Sequence, residues 1–190
     1  MKVFDFDDFG CNHIISDLCQ TRDCREELRM LKDITPAFKV TLLTVPEEMT
    51  MEMLAWSADN QDWVELAIHG FTHNSNWECE KMTYEEFADN MRGIYNQLIK
   101  AFFVKGFKAP GWQISDDIYK WLLEHDWWVA DQPYNDGRRP KDLAVYKVGE
   151  NSVHLHTWNC MGNGIQETLP QLKEIVKNEK EFKFVSEVVE

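Results

Sequence analysis

Two pairs of residues carry the types and spacing of a reaction centre. Asp7 and Asp8 stand side by side in Phe6-Asp7-Asp8-Phe9-Gly10, at the end of an alternating run that begins at Val3. Side chains alternate along a strand, so neighbouring acids serve one site only where the backbone turns, and Gly10 permits that turn. Asp5 shares the face of Asp7 but lies further from the strand end. Taken alone, the segment reads equally as a solvated acidic turn. His69 and His73 lie four residues apart in His69-Gly70-Phe71-Thr72-His73, beginning where the apolar run Trp63 to Ile68 stops. Imidazoles at this spacing converge on one metal ion from a helical turn or a tight loop. By themselves they read as well as ordinary surface or core histidines. One carboxylate with two imidazoles leaves positions open to water, the arrangement of a catalytic rather than a structural zinc site.

Two further segments are candidates. Lys105 to Trp112 (KGFKAPGW) runs a strand into a Pro-Gly turn, which is also what an ordinary loop looks like. In Val153 to Trp158 (VHLHTW), His154 and His156 face one way and Val153, Leu155 and Thr157 the other. An imidazole near the end of a late strand suits general acid work, because its unperturbed pKa of ~6.5 lies near neutrality. Trp112, Trp127, Trp128 and Trp158 fall near strand ends, where an indole can stack on a sugar ring. Core packing is the simpler reading for Trp127 and Trp128, and Trp112 is the better substrate contact. His13 follows the first motif closely enough to reach a substrate or to sit on the surface.

These residues need a scaffold, and the apolar pattern supplies one. Strands are predicted at Val3 to Phe6, Phe38 to Val45, Trp63 to Ile68, Val104 to Ala109, Trp127 to Ala130, Leu143 to Val148, Val153 to Thr157 and Phe182 to Val185. Helices are predicted at Thr21 to Lys32, 47 to 57, from the Thr83/Glu86 capping box through Phe87, Met91, Ile94, Tyr95 and Leu98, from Ser115 to Leu123, and from Pro170 at the first helical position to Lys177. The turns at Asp136-Gly137 and Asn151-Ser152 suggest that the Leu143 and Val153 strands pair as a hairpin. Alternation of strands with helices implies a mainly parallel sheet, open or closed into a barrel, with ligands at the C-terminal strand ends. No GxGxxG or GxxxxGK[ST] follows any strand, so no dinucleotide or triphosphate cradle is indicated.

With 190 residues and 44% hydrophobic content the chain suits a single domain, 1–190, with a large core rather than a disordered segment. Twenty basic against 33 acidic residues give −13, a field that repels phosphate backbones and anionic lipid, so neither nucleic acid nor membrane is an expected partner. The start MKVFDFDDFG lacks the apolar core of a signal peptide and no run of apolar residues is long enough to span a bilayer, so a soluble, cytoplasmic protein is expected. Five cysteines without a CxxC pair argue for reduced thiols over a disulfide framework or a thiolate zinc site.

In order and spacing, the four segments resemble the polysaccharide deacetylase family, the NodB-homology carbohydrate esterases. Asp7 and Asp8 resemble its TFDDG motif with one residue inserted before the glycine. His69 and His73 match H[ST]xxH at the ligands, with Gly70 at the usual Ser or Thr. Lys108 to Trp112 (KAPGW) resembles RxPYG, and Val153 to His156 resembles the late LxH. The resemblance implies an α/β fold, a distorted, incomplete (β/α) barrel of about seven strands. It implies Asp8, His69 and His73 as ligands of zinc or another divalent transition metal, and Asp7 as the base that takes a proton from water. The backbone N–H of Gly111 would stabilise the oxyanion, and His156 would protonate the departing amine.

Three departures matter. Lys108 stands where the family has an Arg that holds the base, keeping the charge and losing the planar fork. Gly111 keeps a backbone donor and loses a tyrosine side chain. The Asp that orients the late histidine has no clear match, Asp131 being the nearest candidate. The implied activity is hydrolytic removal of an N-acetyl or related acyl group from an amino sugar or oligosaccharide. The alternatives are a small amide or ureide substrate at the same site, as in the allantoinase-like and deformylase-like branches, and a catalytically silent barrel that binds sugar or a partner.

Overall fold

A computed structural model of the chain describes residues 1–10, 14–16, 19–20, 23–95, 101–158 and 162–190. In chain order the elements are β1 (Lys2–Phe9), an antiparallel pair β2 (Ile14–Ser16) and β3 (Cys19–Gln20), α1 (Arg25–Lys32), β4 (Val40–Thr44), α2 (Met51–Asp59), β5 (Val64–His69) and α3 (Tyr84–Tyr95). There follow β6 (Phe103–Lys108), α4 (Asp116–Glu124), β7 (Trp128–Asp131), β8 (Val145–Lys147), β9 (Ser152–His156), α5 (Ile165–Asn178) and β10 (Phe182–Lys183).

Seven strands in the order β10-β1-β4-β5-β6-β7-β8 pair in parallel, and β9 adds beside β1, also parallel. The sheet curls into an incomplete α/β barrel with helices outside it. Alternation along the strands sorts the side chains. Phe4 and Phe6 of β1, Leu42 of β4, Leu66 and Ile68 of β5 and Phe107 of β6 join the layer beneath the helices, with Leu28, Leu31, Phe87, Ile118 and Leu172. Val3, Leu43, Ala67, Trp128, Ala130 and Tyr146 make a second cluster with Val185, on the inner face of the curl. Asp5 and Asp7 share the face of Val3, and His69 that of Ala67, so the polar candidates point inward.

α3 and α4 begin at side-chain caps that the sequence marks. Ser115 accepts from Ile118 N at 3.2 Å, and Thr83 and Glu86 exchange the two bonds of a capping box, Thr83 N to Glu86 Oε2 at 2.8 Å and Glu86 N to Thr83 Oγ1 at 3.3 Å. α5 departs from expectation, with Pro170 inside it rather than at its start. Burial of Ile165 starts the helix earlier, and the Thr168 amide and hydroxyl both bond the Gly164 carbonyl.

The hairpin expected from the Leu143 and Val153 strands does not form. β8 pairs with β7 and β9 with β1, because β9 carries a polar inner face whose partners Asp5 and Asp7 lie on β1. Among the described residues β8 and β9 do not pair, and a cavity of about 500 Å³ opens beside them, lined by Val3, Tyr146, Ser152 and Arg139 among others. No helix among the described residues is long and apolar enough to cross a membrane. Cys24 and Cys79 are free and buried, and burial pushes both thiols up, which keeps them protonated.

Trp127 packs under the helices and Trp128 on the inner face, both buried. The Trp128 indole fills the space left by Gly106, where a Cβ would stand 2.0 Å from the ring. Gly106→Ala should therefore lower stability by ~1–3 kcal/mol. The urea midpoint measures this, and a wild-type midpoint would show that the indole moves aside without cost.

Candidate active site

The two adjacent acids reach one site because β1 is irregular where they lie. Its register with β4 shifts between Phe6 and Phe9, and Asp8 adopts φ 67°, the left-handed region that a non-glycine residue rarely occupies. Among the described residues four non-glycine positions have positive φ, and three of them, Asp8, His73 and Trp112, belong to this site. Such strain persists where the surroundings over-determine it, which is common at functional sites.

Asp8, His69 and His73 meet at the C-terminal ends of β1 and β5. Asp8 Oδ1 is 3.4 Å from His69 Nε2 and 3.2 Å from His73 Nε2, and it is buried without a hydrogen-bond partner. His69 Nδ1 lies 3.2 Å from the Lys108 carbonyl, an acceptor only, so Nδ1 carries the proton and Nε2 presents a lone pair toward the carboxylate. Burial raises the Asp8 carboxyl, and Asp7 adds to that, yet His69 and His73 bring it below the usual range. Burial, then His69, holds His73 below its usual value and hence neutral at neutral pH. One carboxylate oxygen and two imidazole nitrogens thus converge in a buried pocket. The three donors fit a divalent cation.

Asp7 has a positive partner. Lys108, 1% exposed at the end of β6, donates its ammonium to Asp7 Oδ2. Burial pushes the Asp7 carboxyl up, but Lys108, and after it His69, His154 and His156, outweigh burial and hold it far below the usual range. Asp7 is thus ionised, and its Oδ1 has no hydrogen-bond partner. The two β9 histidines flank it, with His154 Nε2 3.6 Å and His156 Nε2 3.5 Å from Oδ2.

Their outer nitrogens differ. His154 Nδ1 lies 2.5 Å from Asp5 Oδ2, whereas His156 Nδ1 lies 3.2 Å from the Asn163 amide nitrogen. Burial lowers both rings. Asp7 and Asp5 raise His154 above its usual value overall, and His156 stays below its own.

The loop carrying His73 hangs on one side chain. Glu78 accepts from the amides of Phe71, Thr72 and His73 at 3.2, 2.9 and 3.2 Å and from the Thr72 hydroxyl at 3.0 Å. Gly111 lies in the Pro110–Trp112 turn with φ 57°, and a Cβ there would stand 2.8 Å from the Asn76 carbonyl oxygen, which accounts for glycine at this position. The Trp112 ring covers the Lys108 ammonium, centroid to Nζ 3.7 Å, and lies 5.5 Å from the His154 ring. His13 lies outside the described residues.

Among the described residues Asp131 meets no histidine. It accepts from Tyr119, Asn135 and Arg139, and the carboxylate that meets the late strand is Asp5. The sequence points to Asp5 only as the weaker acid and to His154 only as the partner of His156 on one face, and it does not mark Glu78. The shared inner face of Asp5 and Asp7, and of His154 and His156, was the available signal for the first two. Glu78 carries none without the loop conformation.

No protein-family model matches the sequence, and no curated protein matches it. Solved structures do. The Xyl-CE4 domain of a multidomain xylanase from the hindgut metagenome of Trinervitermes trinervoides superposes with a TM-score of 0.58 at 19% identity, over 97% of this chain and 87% of that one. The fold is that of the CE4 polysaccharide deacetylases. The Bc1960 peptidoglycan N-acetylglucosamine deacetylase gives 0.56 at 14%, over 97% and 86% of the two chains. BA3943 from Bacillus anthracis, a CE4 family pseudoenzyme, gives 0.56 at 15%, over 98% and 64%. The CE4 fold therefore houses both a deacetylase and a protein described as a pseudoenzyme.

Glu78→Ala should release the His73 loop and weaken metal binding by about 10–100-fold, the usual cost of losing a residue that orients a ligand. Zinc titration of the variant checks this, and unchanged affinity would show that the loop holds itself.

Proposed function

We propose that this chain is a divergent member of the polysaccharide deacetylase family, a metal-dependent hydrolase that removes an N-acetyl or related acyl group from an amino sugar or oligosaccharide. The observation that carries the reading is the pair of adjacent carboxylates with different partners. Asp7 is ionised against Lys108, and Asp8 shares a buried pocket with two imidazoles.

In this reading Asp8, His69 and His73 hold a divalent ion, zinc or another transition metal. When bound, the ion supplies Lewis acidity that polarises the acyl carbonyl and makes water a better nucleophile near neutral pH. Asp7 takes the proton from the attacking water, and Lys108 keeps its carboxylate charged and fixed. The Gly111 N–H donates to the oxygen on which negative charge develops. His156, in its protonated form, gives a proton to the leaving nitrogen and returns to neutral imidazole, so the acid and the base sit on adjacent strands in direct register, Asp7 opposite His156. Trp112 would contact the sugar. The fold neighbours named for carbohydrate deacetylation support a saccharide over a small amide. The pseudoenzyme of the same fold supports a silent barrel as the second reading, because Lys108 replaces the residue that the resemblance expects to hold the base.

The test is acetate release from N-acetylated oligosaccharides and small amides by chelator-treated protein, with and without zinc, alongside metal stoichiometry. One ion per chain with zinc-dependent release from the saccharides is the expected result. Asp7→Asn should retain the metal and lose about 10²–10⁴-fold in turnover, whereas His73→Ala should lose both. Release from small amides alone would move the substrate class. Metal binding without release from any substrate would establish the silent barrel.

A further inference from the structure

Among the described residues, the Lys108 ammonium has an acceptor for each of its three protons. They are Asp7 Oδ2, His154 Nε2 at 3.4 Å and the face of Trp112, whose centroid is 3.7 Å from Nζ. An accepting Nε2 requires a neutral ring protonated at Nδ1, the form His154 takes once the pH lies above its raised pKa. That proton has a destination, because Nδ1 lies 2.5 Å from Asp5 Oδ2, and a carboxylate only accepts. Asp5 is itself fixed. It is fully buried, its Oδ1 takes the Tyr146 hydroxyl at 2.7 Å, and Tyr146 lies 2.9 Å from Ser152 Oγ, which the Gly149 amide holds at 3.0 Å. Strand register makes these contacts, since Asp5 and Asp7 of β1 lie directly opposite His154 and His156 of β9.

We infer that Asp5 and His154 form a positioning pair that holds the Lys108 ammonium on Asp7. A planar guanidinium would grip a carboxylate through two parallel bonds. An ammonium is a point charge on a flexible stem, and it needs a second acceptor to fix its direction. His154 supplies that acceptor and Asp5 fixes its tautomer. The division of labour on β9 follows, with His154 facing the lysine and His156 left for proton transfer. Asp7, His154 and His156 also have the composition of a metal site. Lys108 already lies against Asp7 and His154, and a second cation there would be repelled by it.

The inference rests on Asp7 being the base of a hydrolase, so one measurement must not depend on turnover. Long-range 1H–15N spectra of the full chain with labelled histidines, recorded at pH 8, should contain a ring protonated at Nδ1 and bare at Nε2 that disappears in His154→Ala. A His154 ring protonated at Nε2 overturns the proposal whether or not the protein is an enzyme.

Kinetics on an acylated saccharide supply the second test. His154→Ala and the isosteric Asp5→Asn should lower kcat by up to about 100-fold, with KM and bound metal unchanged. Adding Lys108→Arg to His154→Ala should recover about tenfold of that loss, because the fork grips Asp7 without help. An unchanged kcat in Asp5→Asn, or a double variant no faster than His154→Ala, overturns the proposal. Absence of turnover in the wild type would sink the hydrolase reading, and the tautomer would still decide this one.

Discussion

Placing two carboxylates on consecutive residues inside an apolar barrel is the constraint from which the rest of the site follows. Burial disfavours both charges and each raises the cost of the other, so the pair persists only if each finds a cation or a strong donor. The chain gives Asp7 a nearly fully buried lysine, and it gives Asp8 a pocket of imidazole nitrogens at the geometry of metal ligands. The two environments differ. A carboxylate bonded to a lysine keeps its charge with one oxygen left unbonded, whereas the other shares its oxygen with two imidazoles, which under the proposed function would hold an ion. Removing one partner of such a buried pair typically costs about 3–5 kcal/mol, so the same contacts that serve chemistry also hold strands β1, β5 and β6 together.

The interior below the site carries polar groups at three levels, and the middle one meets the upper through His154. Near the base, Glu65 accepts from Thr41 at 2.9 Å and from the Ser186 amide at 3.3 Å, and Thr41 accepts from the Val185 amide at 2.9 Å. The C-terminal turn thereby plugs the inner face. Burial raises the Glu65 carboxyl more than these donors lower it, so this acid, unlike Asp7, leans toward its neutral form. The middle layer is Tyr146, Asp5 and His154, and the upper layer is Asp7 with Lys108. Along β1 the alternation of Phe4, Asp5, Phe6 and Asp7 writes the two faces into four residues. The aromatics anchor the strand under the helices, where Phe4 meets Phe38 edge-on at 5.3 Å and Phe182 at 5.8 Å, and the acids face inward.

How much of this was legible in the sequence depends on whether the signal was local. The strands Phe38 to Val45 and Trp63 to Ile68 and the caps at Thr83 and Ser115 are set by apolar runs and adjacent side chains, and the structure places them within a few residues of expectation. The histidine pair and the double acid were visible because their spacing is fixed by one turn each. Pairing was not. Short turn signals around Asn151 suggested a hairpin, but β9 gains more by laying His154 and His156 against Asp5 and Asp7, residues about 150 positions away. Asp131 was misjudged for the same reason. Its strand-end position suited an orienting acid, while Tyr119, Asn135 and Arg139, none of them recognisable as partners from spacing, claim its oxygens.

The abundance of tryptophan acquires a physical meaning at the two β9 histidines. Trp112 lies against His154 and covers the Lys108 ammonium, and Trp158 stacks on His156 with centroids 4.0 Å apart. Each histidine thus carries an indole, and each histidine side chain is only 18% exposed. Flat apolar walls remove water from the space around Asp7, where fixed charges then act across a lower dielectric. Aromatic rings exclude water with few residues. The cation under Trp112 already occupies part of its face, so a sugar ring meeting that indole would meet its remaining surface, and its position would depend on where Lys108 is held. Under the proposed function, substrate contact and the fixing of the base are coupled through one side chain.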